Sequence, residues 1–191
     1  MLTLSRVALA GVFAALVAVW GPGPVDGAAA AGLLLVAAVA ECTDMLDGWA
    51  ARRTGTASEL GGLLDPLCDS LSRLTMFFAA GLMGWVWLAV PLTMAGRDII
   101  VAYVRIVVGR AGGNTSARTS GKIKAFVQGG GIFAIVLLAS RWMGEGAGGF
   151  VPWARAVVSV VVMAVTLWSL ADYVRGGWPA IRKMMNESPR G

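Results

Sequence analysis

Four aspartates lie within the 26 residues from Asp44 to Asp69 of an otherwise apolar chain. Asp44 and Asp47 are three residues apart, and Asp65 and Asp69 are four apart, so each pair shares one face if its segment is helical. A turn over 54–58 would fold the two helices back on each other and bring the carboxylates together. Carboxylates gathered near a low-dielectric region require cations. Because hard oxygen ligands without histidine favour magnesium, manganese or calcium over zinc, the spacing predicts a site for such ions.

The composition places this cluster in a membrane protein. Of the 191 residues, 57% are hydrophobic and 14% are charged, whereas soluble domains carry about 25% charged residues. The chain has no histidine, which excludes imidazole acid–base chemistry and most zinc sites. Its net charge of +5 comes from basic residues between hydrophobic stretches, a pattern typical of the cytoplasmic membrane face rather than of nucleic-acid binding. We therefore expect the lipid bilayer as a partner and no nucleic acid.

The apolar stretches predict an all-α integral membrane protein with six transmembrane helices, forming a single domain over residues 1–191. A polar segment over 109–124 is expected to precede the fifth helix, and a basic tail is expected to follow the sixth from Arg175. The break between the third and fourth helices falls at Gly84 or Pro91. The first predicted helix ends at Trp20, and the second spans 28–52. The third begins near Gly61, with Pro66 close to its start, and the fourth ends near Arg110. The fifth spans 126–142 and the sixth spans 153–173.

Lysine and arginine are concentrated in the connections at one end of the predicted helices. The basic residues at this end are Arg6, Arg52, Arg53, Arg110, Arg118, Lys122, Lys124, Arg175, Arg182, Lys183 and Arg190. The opposite end has Arg141 and Arg155. The positive-inside rule then places both termini and the aspartates in the cytoplasm. We predict a cell (inner) membrane protein whose helices surround a cytoplasm-facing active-site cavity.

The spacing D-x2-D-G-x2-A-R-x8-G-x3-D-x3-D resembles the signature of the CDP-alcohol phosphotransferase family, and the match is specific because eight positions are specified. The residues that fill these positions are Asp44, Asp47, Gly48, Ala51, Arg52, Gly61, Asp65 and Asp69. The resemblance implies that the four aspartates hold two divalent cations, Mg²⁺ or Mn²⁺, and that Asp69 is also the catalytic base. It further implies a homodimer.

The resemblance also implies a nucleotide-binding set, which comprises Gly48, Ala51, Arg52, Ser58 and Gly61. Gly48 and Ala51 are small enough for a nucleotide to approach the helix, although close helix packing would explain them equally. Arg52 would pair with the diphosphate; alternatively, it would contact a lipid headgroup. The implied donor is CDP-diacylglycerol. The implied reaction is attack by an acceptor hydroxyl on the lipid-side phosphate, with CMP as the leaving group.

Further basic residues predict where the acceptor binds. Arg97, Asp98 and Arg105 fall inside a hydrophobic stretch, where charges are costly and usually functional. An internal ion pair between Asp98 and a neighbouring arginine is the alternative. The segment 118–124 reads as a basic, glycine-containing turn suited to a phosphate, or as ordinary cytoplasmic loop charge.

This half of the chain resembles the phosphatidylglycerophosphate synthases within the family, whose acceptor is glycerol 3-phosphate. The residues that would bind its phosphate are Arg97, Arg105, Arg118, Lys122 and Lys124. The sequence departs from that group at Cys68 and Ser70, where those synthases usually have alanine and lysine.

Two other interpretations remain. The same chemistry could use inositol phosphate, inositol, serine or a second phospholipid as the acceptor. The aspartates could instead form the ion path of a divalent-cation transporter, but such a path needs carboxylates distributed through the spans. Here they cluster at one interface, beside Gly48, Ala51 and Arg52, which an ion path does not require.

Overall fold

A computed structural model describes the backbone of residues 2–54, 59–113, 118–144 and 149–187, and the side chains of 5–43, 64–113, 118–143 and 149–186. These residues form helices and one isolated β-bridge between Val25 and Ser140, with no β-strand in the described ranges. The helices are α1 (Leu2–Trp20), α2 (Gly27–Thr54), α3 (Glu59–Leu82), α4 (Ala89–Arg110), α5 (Thr119–Ala139), α6 (Arg141–Gly144) and α7 (Phe150–Glu187). The predicted all-α class is confirmed.

The break between α3 and α4 occurs at glycine rather than at proline. Gly84 has a φ of 71°, a left-handed conformation that side chains other than glycine rarely adopt. Pro91 instead lies in the first turn of α4, where the backbone amides have no intrahelical partner and proline is tolerated. Of the two positions that the sequence left open, the structure therefore selects Gly84.

α3 begins at Glu59, two residues before the predicted start near Gly61, so Pro66 lies farther inside the helix than predicted. Two predicted boundaries were wrong. α5 begins at Thr119, so most of the basic segment predicted as a turn is helical. α7 continues to Glu187, so the predicted basic tail is helical over its described part. The two basic segments are helical because backbone hydrogen bonding and packing determine the helix. Charged side chains on the surface have little effect on helix formation.

The long helices pack as two groups that meet through a shared core. α1 packs against α2 and α3, and α7 packs against α4 and α5, while α3 contacts α4 and α2 contacts α5. The largest side chains of the core are fully buried, among them Trp85, Phe13, Phe77 and Met94. Apolar side chains on the outside are widely exposed, including Leu35, Leu92, Phe126 and Trp153.

This apolar exterior fits association with a membrane. Two helical stretches among the described residues, Thr119–Ala139 and Phe150–Asn186, are long and apolar enough to cross a bilayer, and Ser5–Trp20 and Gly27–Thr43 are shorter apolar stretches.

The helix order brings specific helix ends together. α1, α3 and α5 begin at the end of the bundle where α2 and α4 finish, and α7 continues beyond the contact of its Asp172 with Arg118 at this end to Glu187. Ion pairs between Arg6 and Asp69 and between Arg118 and Asp172 lie near this end. At the opposite end, the Val25 amide donates to the Ala139 carbonyl at 2.8 Å. The charged residues of the sequence motif and the basic segment therefore belong to the same end of the molecule.

Candidate active site

Asp65 and Asp69 lie one turn apart on α3, and both carboxylates are half-buried. Asp69 forms an ion pair with Arg6, which projects from the first turns of α1 and is 3% exposed. This contact depends on the close packing of α1 against α3. A buried arginine therefore stands directly at the carboxylate that the sequence predicts as the catalytic base.

Arg73 follows Asp69 by one turn on α3, on the same face as Asp65 and Asp69. Its Nε and Nη2 donate to the two carboxylate oxygens of Glu41 on α2, at 3.1 and 2.9 Å. Its Nη1 lies 3.9 Å from Oδ2 of Asp69. Arg6, Asp69, Arg73 and Glu41 thus form a charged network that joins α1, α2 and α3.

The predicted residues on α2 have a described backbone and undescribed side chains. Asp44, Asp47, Gly48, Ala51 and Arg52 all belong to α2, as predicted, but their side chains are outside the described residues. Ser58 lies wholly outside the described residues, and Gly61 is described as part of the α3 backbone only. The convergence of all four aspartates therefore stays a prediction.

The donor chemistry of α3 suits a hard divalent cation, since Asp65 and Asp69 offer carboxylate oxygens. Among the side chains that the structure describes, no three acidic or cysteine residues are grouped closely enough to hold a metal ion. Two of the four predicted ligands, Asp44 and Asp47, lie beyond those side chains. The carboxylates of Asp65 and Asp69 fit a cation of this type, and the complete predicted ligand set also requires Asp44 and Asp47 of α2.

A second charged cluster lies between α4, α5 and α7. Oδ1 of Asp98 accepts hydrogen bonds from Nη1 of Arg97 at 2.8 Å and from Nζ of Lys124 at 3.1 Å. Nη2 of Arg97 donates to Ser169 at 2.7 Å. Arg97 and Lys124 are 7% and 6% exposed, so the ion pair considered for Asp98 is present and involves two cations. Because one carboxylate faces two buried cations, the cluster carries excess positive charge.

Tyr173 of α7 organises the arginines of this cluster. Its hydroxyl accepts hydrogen bonds from Nη2 of Arg105 and from the backbone amide of Arg118, both at 3.0 Å. The guanidinium carbons of Arg97 and Arg105 lie 5.0 and 5.3 Å from its ring centroid, within the range of cation–π attraction. Gly121 leaves room for the hydroxyl, since a Cβ there would stand 3.0 Å from it.

The basic segment divides into residues that join the cluster and one that does not. Arg118 donates to both carboxylate oxygens of Asp172, at 2.7 and 3.1 Å, and Ser120 donates to the same carboxylate at 2.6 Å. Lys124 is buried, as described above, whereas Lys122 is exposed. Residues two apart on a helix do not share a face. Of the predicted acceptor residues, the structure brings together Arg97, Arg105, Arg118 and Lys124 and leaves Lys122 outside.

Buried polar groups continue the cluster into the bundle. Ser120, Lys124 and Gln128 recur every four residues along one face of α5, and all three are buried. The amide nitrogen of Gln128 donates to Thr166 of α7 at 3.1 Å. A polar seam between α5 and α7 therefore leads inward from the charged end.

The sequence did not predict several contacts of the two clusters, namely those of Arg6 with Asp69, of Arg73 with Glu41, and of Ser169, Asp172 and Tyr173 with the basic residues. Periodicity carried a usable signal for some of them. Arg73 continues the four-residue spacing of Asp65 and Asp69, and Ser169, Asp172 and Tyr173 recur at helical spacing in an apolar run. The pairing of these stripes across helices had no signal in one sequence.

Comparison with known proteins identifies the family of this chain. The sequence model of the CDP-alcohol phosphatidyltransferase family matches residues 1–170. A CDP-diacylglycerol–glycerol-3-phosphate 3-phosphatidyltransferase of Escherichia coli K12 is 31% identical over 181 residues, which cover 91% of each chain. A protein of the same name from Pseudomonas fluorescens is 29% identical over 156 residues, which cover 77% of this chain and 75% of the relative. One from Blochmanniella floridana is 28% identical over 149 residues, which cover 73% of this chain and 72% of the relative. The chain therefore belongs to the CDP-alcohol phosphatidyltransferase family.

Proposed function

We propose that this protein transfers a phosphatidyl group from CDP-diacylglycerol to glycerol 3-phosphate and releases CMP, as a step of phospholipid biosynthesis. The relatives that match most of its length carry this reaction in their name. The observation that carries the proposal is the eight-residue motif from Asp44 to Asp69, which is complete and falls on α2 and α3.

Two divalent cations, Mg²⁺ or Mn²⁺, are held by Asp44, Asp47, Asp65 and Asp69. When bound, they supply neutralisation of the diphosphate charge and polarisation of the phosphorus under attack. Asp69 takes the proton of the acceptor hydroxyl. A carboxylate that binds metal is a weak base, so most of the rate must come from positioning and charge stabilisation. The Arg6 contact fixes the position of the Asp69 carboxylate from the α1 side.

The nucleotide lies along the end of α2 and the start of α3. Gly48, Ala51 and Gly61 let it approach the backbones, Arg52 pairs with its diphosphate, and Ser58 contacts it from the connection. These assignments come from the family pattern at the matching positions.

The acceptor phosphate binds the basic cluster of α4, α5 and α7. Arg97 and Lys124 share one carboxylate, Asp98, so together with Arg105 they leave positive charge that a phosphate can balance. Arg118 supplies a further guanidinium at the outer edge of the cluster, and Lys122 contributes long-range attraction from an exposed position.

The whole chain forms one membrane domain of six spans around a cavity that opens to the cytoplasm, in the cell (inner) membrane. The six long helices and the basic residues at one end support this topology, with both termini and the active site on the cytoplasmic side. The protein acts as a homodimer, as the family resemblance implies.

The proposal is tested with purified full-length protein, CDP-diacylglycerol and a panel of acceptors, with CMP release measured in the presence of Mg²⁺ or Mn²⁺. We expect release to require glycerol 3-phosphate and a divalent cation, and to stop with a chelator. A preference for inositol phosphate, or for an acceptor without phosphate, would reassign the acceptor. Cation flux into vesicles without CMP release would show that the protein is a transporter rather than an enzyme.

A further inference from the structure

The ion pair between Arg73 and Glu41 lies next to the proposed metal site and involves no residue of the family motif. The pair has two parallel hydrogen bonds, at 3.1 and 2.9 Å, and the Arg73 side chain is 11% exposed. Glu41 precedes Asp44 by three residues on α2, and Arg73 follows Asp69 by four residues on α3. Two-point pairing of this kind is geometrically specific, so the guanidinium has one preferred placement beside the motif.

Arg73 has a nearer acidic neighbour in sequence to which it donates no hydrogen bond. Asp69 lies one turn earlier on the same helix, with the acid on the N-terminal side, which is the favourable arrangement for an ion pair within a helix. The closest approach between Nη1 of Arg73 and Oδ2 of Asp69 is nevertheless 3.9 Å, which exceeds hydrogen-bonding distance. The guanidinium is directed across to Glu41 instead.

α5 lies on the other side of Glu41. A Cβ at Gly129 would stand 3.4 Å from Cδ and Oε1 of Glu41, and Gly129 is buried. The carboxylate therefore lies between Arg73 of α3 and the backbone of α5.

We propose that Glu41 is a positioning residue that keeps the Arg73 guanidinium from hydrogen bonding with Asp69, so that Arg6 is the one arginine of the described side chains that pairs directly with this carboxylate when it binds a divalent cation. The inference rests on the proposed function, in which Asp69 binds metal. Without Glu41, Arg73 pairs with Asp69 within α3, and its positive charge competes with the cation. Without Arg73, Arg6 is still paired with Asp69 as in the wild type, no second guanidinium of the described side chains can reach the carboxylate, and Asp69 keeps its wild-type affinity for the cation.

The test compares Glu41→Gln, Arg73→Gln and the double variant in the purified full-length protein. Binding of Mn²⁺ is measured by electron paramagnetic resonance without substrate, and Mg²⁺ activation is measured from CMP release. We expect Glu41→Gln to weaken Mn²⁺ binding and Mg²⁺ activation by about 10-fold, because a charge-assisted hydrogen bond from Arg73 to Asp69 would compete with the cation by about this factor. Arg73→Gln and the double variant should stay within about 3-fold of the wild type.

Asp26→Asn is the matched control. Asp26 caps the first turn of α2, where its Oδ1 accepts from the Ala29 amide at 2.9 Å, and it lies about 22 Å from Glu41 along the helix axis. This variant removes one negative charge from the same helix and should bind Mn²⁺ as the wild type does. A weakening equal to that of Glu41→Gln would show a general charge effect and would overturn the proposal.

A purely structural ion pair predicts a different pattern. Both single variants and the double variant would then lower the thermal midpoint, and the double variant would not regain metal binding relative to Glu41→Gln. That result overturns the positioning role. If Glu41→Gln does not fold, Glu41→Asp replaces it, since it keeps the charge but shortens the reach to Arg73, and the same ranking is expected.

The two proposals fail in distinguishable ways. A wild-type protein that binds no Mn²⁺ and needs no divalent cation for CMP release refutes the proposed function together with this inference. A cation-dependent wild type in which Glu41→Gln titrates like the parent refutes the positioning role of Glu41 alone.

Discussion

The half of the site on α2 and α3 and the half on α4, α5 and α7 both gather charged side chains at the same end of the bundle, but they do so by different means. On α2 and α3 the charged residues are close in sequence, within 41–73, and helical spacing aligns those that belong to the same helix. On the other three helices, Arg97, Lys124 and Ser169 come from positions far apart in the chain and meet only through packing.

The two halves also differ in how their charges are balanced. The first half combines Glu41, Asp65 and Asp69 with Arg6 and Arg73, and the proposed metals would add positive charge to it. In the second half, two buried cations share Asp98. This contrast matches a division of labour in which one half binds cations and the other binds an anion, and the predictions below separate the two halves.

The largest effect is expected in the first half, from Asp69→Asn. This change keeps the shape of the side chain but removes the charge and the proton acceptor, so the rate of CMP release should fall by about 1,000-fold or more. The measurement is single-turnover CMP release at saturating substrates. Asp26→Asn is again the control and should retain the parental rate. An Asp69→Asn variant with near-parental turnover would remove the first half from the chemistry.

The second half is tested by two lysines that are two residues apart on α5. Lys124→Met removes a buried cation, so the KM for glycerol 3-phosphate should rise by about 10- to 100-fold, with the KM for CDP-diacylglycerol unchanged. Lys122→Met removes an exposed cation, for which the same KM should change by about 2-fold or less. Equal effects of both variants would show that long-range charge, rather than the buried cluster, attracts the acceptor.

A smaller effect is expected from Tyr173→Phe, which keeps the ring between the two arginines and removes the hydroxyl that accepts two hydrogen bonds. Loss of these contacts should raise the acceptor KM by about 3- to 10-fold. Tyr103 is the other tyrosine of the chain and is 67% exposed, so Tyr103→Phe is the matched control. If the two variants behave alike, Tyr173 does not organise the acceptor half.

The smallest effect concerns the connection between the halves. Gly84 has a φ of 71°, so Gly84→Ala should destabilise the fold by about 1 kcal/mol. Gly96 lies within α4, and a Cβ added there would have no neighbouring atom within 4 Å, so Gly96→Ala should be neutral or slightly stabilising because alanine favours helix. Thermal unfolding in detergent measures both. A destabilised Gly96→Ala with an unchanged Gly84→Ala would contradict the assigned break.

Much of the first half could be predicted because its geometry is local. The i, i+3 and i, i+4 spacings of the aspartates are properties of one helix each, and the helices themselves follow from long apolar runs. Helix boundaries were less accurate. Pro66 was expected close to the start of its helix, and the basic segment before Lys124 was expected as a turn. Surface charge and one proline are weak signals beside the continuous hydrogen bonding of a helix.

By itself, the sequence determined the helical class, the family motif and the concentration of basic residues at one end, since these depend on composition and on spacing within single segments. Only the tertiary structure decided that Arg73 donates its hydrogen bonds to Glu41 rather than to Asp69, that Tyr173 lies between two arginines, and that Lys124 is buried while Lys122 is exposed. The physical reason is that partner choice depends on which helix faces another and at what register, and these are set by the packing of the whole bundle.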